Sequence, residues 1–141
     1  KTARTFPVID GVRYSVPGDY AQVETDGTLI LLGRGSVCIN TGGEKVYPEE
    51  VEECLKLHPS VADAAVVGVP DEKWGEAITA LVEPHAGDEI DAAALNAHVK
   101  ERLAAYKAPK RVVAVASVGR AANGKLDYKK LRSDAIEAPA V

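Results

Sequence analysis

Apolar residues in the first third of the chain alternate with polar ones or fall in short runs cut by glycine. Ala21, Val23 and Thr25 alternate with polar neighbours, Asp26–Gly27 is a hairpin signal, and Leu29–Leu32 supplies the return strand. Gly33–Arg34–Gly35–Ser36 then interrupts the pattern. Two glycines around one arginine permit close backbone approach and mark a candidate domain boundary or hinge at 34–36. Val37–Cys38–Ile39 and Lys45–Val46–Tyr47, separated by Asn40–Thr41–Gly42–Gly43–Glu44, predict a second, glycine-tipped hairpin.

The period then changes from two to that of helices. Pro48 suits a first helical position, Glu49 and Glu50 oppose the positive end of the dipole, and Val51, Cys54, Leu55 and His58 share one face. A second helix starts after Asp91, a natural N-cap, with Ile90 and Leu95 spaced as a hydrophobic staple. Its stripe of Leu95, Val99, Leu103 and Tyr106 runs to a break at Pro109. The third repeats the device with Asp127 as cap and Leu126 and Leu131 as staple. Three apolar runs, Ala64–Val69, Ala77–Val82 and Val112–Val118, are bounded by Gly and Pro and predict buried strands. The expected fold is α+β: a small three-stranded sheet with flanking helices plus a β-hairpin, preceded by a β-rich tail.

Composition narrows the function classes. The chain has 141 residues, 46% hydrophobic and 27% charged, which is ordinary globular usage. A net charge of −4 argues against a general nucleic-acid binder, and no apolar run reaches the length of a membrane helix. Cys38 and Cys54 form no disulfide framework or zinc quartet, which fits a reducing, cytoplasmic setting. With no Met and Lys1 as the first residue, the chain reads as a piece of a longer protein.

Three stretches carry more glycine and charge than a core needs: SVPGDY at 15–20, GRGSVCINTGGEKVYPEE at 33–50 and GRAANGKLDYKKLR at 119–132. Asp19 projects from a Pro–Gly turn, Arg34 offers a planar fork of donors, and Lys125 ends a flexible Ala–Ala–Asn–Gly loop before a capped helix. Taken singly, a turn aspartate or a lysine before a helix is accounted for by solvation. His58, His85 and His98 make no metal pattern, Cys38 and Cys54 read as small buried hydrophobes, and Trp74 reads as a packed anchor of a surface loop. Lys129, Lys130 and Arg132 read as a solvated helix face.

Taken together and in this order, the stretches resemble the C-terminal part of the adenylate-forming ligases, the superfamily of acyl-CoA synthetases, luciferases and nonribosomal adenylation domains. The resemblance covers nearly the whole chain. INTGGEKVYPEEVEECLKLHPSVADAAVVGVPDEKWGEAITALV, then YKAPKRVVAV and the GK loop, look most like the fatty-acyl-CoA ligases. The resemblance implies residues 1–33 as the last strands of a large N-terminal domain, 34–36 as a hinge and 37–141 as a mobile C-terminal domain. It implies two steps in one site: a carboxylic acid attacks the α-phosphate of ATP to give acyl-adenylate and pyrophosphate, and CoA thiol then displaces AMP. The small domain rotates between the steps.

Carried over residue by residue, Lys125 matches the lysine that reaches the acyl carboxylate and phosphate oxygens during adenylation. Asp19 matches the aspartate that binds both ribose hydroxyls of ATP, two acceptor oxygens meeting two adjacent donors. Arg34 matches the arginine before the hinge that also contacts the ribose. Ser36 holds the hinge position, and Gly42, Gly43, Glu44 and Lys45 match the tip of the thioester-forming hairpin that lines the pantetheine channel. Three departures stand out: Gly119 replaces a usual proline, Gly18 a usual threonine, and Ser36 a usual Lys or Asp. The glycine- and Ser/Thr-rich phosphate loop of the superfamily is missing, so ATP, CoA and Mg2+ are expected to bind mainly through an N-terminal domain, and the chain alone is expected to be inactive. The implied partners are that domain and a small-molecule acid. A carrier-protein phosphopantetheine as acceptor, or a non-catalytic interaction module of the same fold, are the alternatives.

Overall fold

The computed structural model describes residues 2–141, which divide into two compact units, the first ending at Ser36 and the second spanning Val37–Val141. In the first unit a helical turn, α1 (Thr2–Thr5), precedes two antiparallel hairpins. These are β1 (Val8–Ile9) with β2 (Val12–Arg13), and β3 (Asp19–Val23) with β4 (Leu29–Arg34). Asp26–Gly27 forms the second turn as expected. Thr28 N–H donates to Asp26 Oδ1 at 2.9 Å, and the bonds from Thr28 hold that carboxyl below its ordinary pKa. This unit leaves Val8, Ile9, Val12, Val23, Leu29 and Leu31 largely exposed.

The second unit is built on one sheet. Its strands are β5 (Ile39–Thr41), β6 (Glu44–Val46), β7 (Val61–Asp71), β8 (Gly75–Pro84) and β9 (Arg111–Ala114), with helices α2 (Pro48–Lys56), α3 (Ala92–Arg102) and α4 (Tyr128–Glu137). The long antiparallel β7–β8 ladder is the spine. The other edge of β8 is shared: β5 meets it where Thr41 opposes Gly75, and β9 runs parallel to it along Thr79–Val82.

Both faces of this sheet are covered, which explains why its strands read as unbroken apolar runs instead of alternations. Ala64 and Val66 of β7, Ile78, Ala80 and Val82 of β8, and Val112 of β9 face one way, onto Val51 and Leu55 of α2 and Leu95 and Val99 of α3. Ala65, Val67 and Val69, Leu81 and Val113 face the other way, onto Leu131 and Ala135 of α4. The local signals behave as their chemistry requires. Pro48 opens α2, Asp91 caps α3 through the N–H groups of Ala93 and Ala94, and Asp127 caps α4 through that of Lys130.

The α+β class is as expected, with the hairpin joined to the three-stranded sheet to make five strands. Three boundaries move. Gly42 and Gly43 both take positive φ, 58° and 85°, so the hairpin closes on two residues and its strands start at Ile39 and end at Val46. Helix α3 stops at Arg102, short of Pro109, because Leu103 turns extended and the chain makes a 3₁₀ turn at Ala105–Lys107, where Lys107 Nζ reaches both Glu50 oxygens at 2.8 Å. Strand β9 ends at Ala114 and not at Val118, since its pairing to β8 closes at Val82 and Val118 instead packs with α4. Among the described residues no helix is long and apolar enough to cross a membrane.

Candidate functional site

Asp19 and Arg34 stand at the open end of the β3–β4 hairpin as cross-strand partners. Arg34 Nε lies 3.5 Å from Asp19 Oδ1, and both side chains are well exposed. An exposed pair of this kind is worth about 0–1 kcal/mol, so either group is free to turn to a ligand. Gly18, at φ 95°, supplies the turn that delivers Asp19, and its carbonyl accepts from Gly35 N–H at 3.3 Å. Ser36 lies in a 3₁₀ turn, Gly35–Val37. Gly35 is needed there because the Tyr20 ring sits where a Cβ would go.

Gly42, Gly43, Glu44 and Lys45 form the exposed tip of the β5–β6 hairpin. Gly42 N–H donates to Trp74 O at 2.8 Å, and Asn40 N–H to Glu76 Oε2 at 2.8 Å, which fastens the hairpin to the 72–74 turn and to the start of β8. A Cβ on Gly42 would come within 3.1 Å of the Trp74 ring, so glycine is what allows this approach. The ammonium groups of Lys73 and Lys110 lie 4.8 and 4.9 Å from the same ring. Trp74 is the packed anchor expected of it, and the glycine it packs against is one that sequence spacing did not pair with it.

Lys125 ends a small exposed loop that folds back on itself. Gly124 N–H donates to Ala121 O, Ala121 N–H to Lys125 O, and Lys125 N–H to Asn123 Oδ1 at 3.1 Å. Gly124, at φ 82°, makes the turn possible. Among the described residues the Lys125 ammonium has no hydrogen bond or ion pair.

The structure therefore brings Asp19 to Arg34, gathers the four hairpin residues at one tip, and sets Lys125 apart from that tip. The hairpin is fastened near Asp71–Gly75, whereas the Lys125 loop is tied by Arg120 to Asp63 at the start of β7. Eight residues of strand at about 3.3 Å each separate those attachment points by roughly 26 Å.

Sequence reasoning missed a buried polar group beside the Lys125 loop. Glu52, 3% exposed on α2, accepts from Tyr128 Oη at 2.8 Å and from Val66 N–H at 3.2 Å. Burial pushes its carboxyl up to about 7, against the pull of those bonds, and burial together with the nearby carboxylate raises the Tyr128 phenol. The Arg120 fork holds Asp63 below its ordinary range. Glu52 follows Val51 on the buried side of α2, the only sequence-level sign of its burial. Of the expected solvated face, Arg132 in fact reaches Glu76 at 3.6 Å, while Lys130 pairs with Asp134 on the helix surface. His98 is buried, its Nε2–H donating to Cys54 O at 2.7 Å, and stands edge-on to His58. Burial raises the Cys54 thiol, which suits a packed hydrophobe better than a nucleophile.

Known proteins resemble this chain in sequence and in fold over nearly its whole length. A medium/long-chain-fatty-acid–CoA/3-oxocholest-4-en-26-oate–CoA ligase of Mycolicibacterium smegmatis is 52% identical over 140 residues, 99% of this chain and 25% of its own. The medium-chain acyl-CoA ligase Mig of Mycobacterium avium is 52% identical over 136 residues, 96% of this chain and 25% of its own. Among solved structures, apo MatB from Rhodopseudomonas palustris superposes with a TM-score of 0.77 at 34% identity, covering 96% of this chain and 26% of that one. A Mycobacterium tuberculosis fatty acyl CoA synthetase gives 0.72 at 33% identity, covering 92% and 25%. The chain thus spans about a quarter of the length of the curated relatives it matches. The family model described as the AMP-binding enzyme C-terminal domain matches residues 50–125, more than half of the chain, and the chain belongs to that family.

Proposed function

We propose that this chain is the C-terminal part of an ATP-dependent acyl-CoA ligase that activates a carboxylic acid, of the fatty class, as its adenylate and then forms the CoA thioester. Residues 1–33 are the last strands of a large N-terminal domain, 34–36 the hinge, with Ser36 at its pivot, and 37–141 the mobile domain. The supporting observation is the placement of two different sets of groups at opposite ends of the β7–β8 ladder. A lysine with a free ammonium stands at one end and a glycine-tipped hairpin at the other. A domain of this shape meets one fixed site with one end at a time, so each half-reaction has its own end and a rotation exchanges them.

In the adenylation state Lys125 neutralises the acyl carboxylate and phosphate oxygens, whose mutual repulsion opposes the attack. The Asp19 carboxylate accepts from the two ribose hydroxyls, and Arg34 adds donors to the same sugar. In the thioester state Gly42 and Gly43 bring bare backbone against the narrow pantetheine arm, with Glu44 and Lys45 beside it. A Mg2+ accompanying ATP would be held mainly by the N-terminal domain, with the phosphate loop that the resemblance places there. The working partners are that domain, the acid, ATP and CoA, and the compartment is the cytoplasm.

The test uses the polypeptide extended upstream to the length of its relatives, beside its Lys125→Ala variant. Acid-dependent pyrophosphate exchange should fall about 10²- to 10³-fold, while thioester formation from a supplied acyl-adenylate persists. Exchange unchanged by the substitution refutes the role of Lys125. A full-length protein with neither activity refutes the ligase.

A further inference from the structure

We propose that Asp63 and Arg120 are positioning residues for Lys125, forming with Glu52 and Tyr128 a clamp that fixes the lysine's backbone while leaving its ammonium free. The proposal rests on the reading of Lys125 as the adenylation lysine. It is carried by where the bonds of the Arg120 guanidinium go. Nε donates to Asp63 Oδ2 and Nη2 to Asp63 Oδ1, each at 2.8 Å, a two-bonded fork onto β7. The remaining arm, Nη1, donates to Gly124 O at 2.8 Å. That carbonyl belongs to the peptide bond joining Gly124 to Lys125, so one planar cation links the sheet directly to the lysine's backbone.

The same stretch is held again on its other side. Three residues beyond Lys125, Tyr128 Oη donates to Glu52, which also takes the Val66 N–H of β7. Lys125 therefore sits between two anchors, both tied to the first half of β7. Asp63 directly follows a register shift between Val61 and Asp63, the kind of bulge that re-aims a side chain out of the ladder. The Asp63–Arg120 side chains are only 21% and 30% exposed, so water competes weakly for the fork. Gly119, at φ 71°, brings no side chain to restrain the start of this loop, and the fork supplies that restraint.

A clamp of this kind acts on the geometry of one step. Displacing a charged group by about 1 Å costs on the order of 10²-fold in rate, so loosening the loop should reduce adenylation without touching the hairpin end. In the full-length ligase, Asp63→Asn is expected to lower the turnover of pyrophosphate exchange about 10- to 100-fold. Thioester formation from supplied acyl-adenylate should be unchanged. Placed on top of Lys125→Ala, Asp63→Asn should add no further loss, because a clamp without its lysine has nothing to position. Arg120→Lys keeps a cation beside Asp63 but cannot reach Gly124 O as well, and is expected to lose exchange with its melting temperature retained. Equal loss in both half-reactions, or an independent further loss on Lys125→Ala, would show a merely structural role and overturn the clamp. If Lys125→Ala abolishes exchange but Asp63→Asn and Arg120→Lys keep it at the wild-type level, the clamp alone falls. If Lys125→Ala itself leaves exchange intact, the reading of the lysine falls first.

Discussion

Replacing Glu52 by Gln should stabilise the protein at alkaline pH and leave it nearly unchanged in mild acid. The carboxyl ionises near 4.5 when unfolded and near 7 in the fold, because burial disfavours its charged form more than the Tyr128 and Val66 bonds favour it. Between those two values the native state holds a proton that the unfolded chain has released. Stability therefore declines as pH rises from 4.5 through 7 and levels off above it. At about 1.4 kcal/mol per pH unit, the displacement corresponds to ~3 kcal/mol at pH 8. Gln mimics the protonated carboxyl: its Oε1 still accepts from Tyr128 and Val66, and it carries no charge to desolvate. Urea unfolding of both proteins at pH 5, 6, 7 and 8 isolates the effect, since every other titration is common to the pair. With a slope of about 1–3 kcal/mol per molar urea, the midpoint advantage of the variant should grow by ~1 M or more between pH 5 and 8. An advantage that stays constant with pH refutes the argument that burial controls this carboxyl.

Two substitutions at the hairpin test its packing. Gly42→Ala should cost about 1–2 kcal/mol for the positive φ and more for crowding the Trp74 ring, whereas Gly43→Ala meets open space and should show the backbone penalty alone. Equal melting temperatures for the two variants would contradict the Trp74 contact. Thr41 is 4% exposed and its Oγ1 has no partner among the described residues, so Thr41→Val should raise stability by about 1 kcal/mol, read as an upward shift in a thermal melt. A downward shift would mean that the hydroxyl is satisfied.

The parts of this fold that were legible in the sequence are those whose cause is local. Asp91 and Asp127 act on N–H groups within one helical turn, Pro48 fixes its own φ at the first helical position, and a run such as Ala64–Val69 declares a strand wherever it sits. The glycine pair was visible too, but its consequence, a turn of only two residues, depends on both φ angles being positive, which spacing does not reveal. The end of α3 was hidden for a different reason. Lys107 leaves the helical path to meet Glu50, a partner 57 positions away. The candidate site divides in the same way. Lys125, Asp19, Arg34 and the hairpin announce themselves by glycines beside charges. Asp63, Arg120, Glu52 and Tyr128 look like ordinary surface residues until the fold pairs them across separations of 57 and 76 residues.

The β7–β8 ladder also bears on how the chain reaches its fold. Its strands are joined by residues 72–74 alone, and they supply side chains to both apolar clusters. It is the largest set of contacts that closes a short loop, so it is the least expensive in chain entropy to form first. The parallel pairing of β9 must wait for α3 to span the gap, and α4 docks onto a face that exists only once the ladder does. The expected nucleus of folding is thus the same element that separates the hairpin tip from the Lys125 loop. Substitutions in β7 and β8 should therefore slow refolding, and those in the helices laid over them should mainly speed unfolding, as a chevron analysis would read.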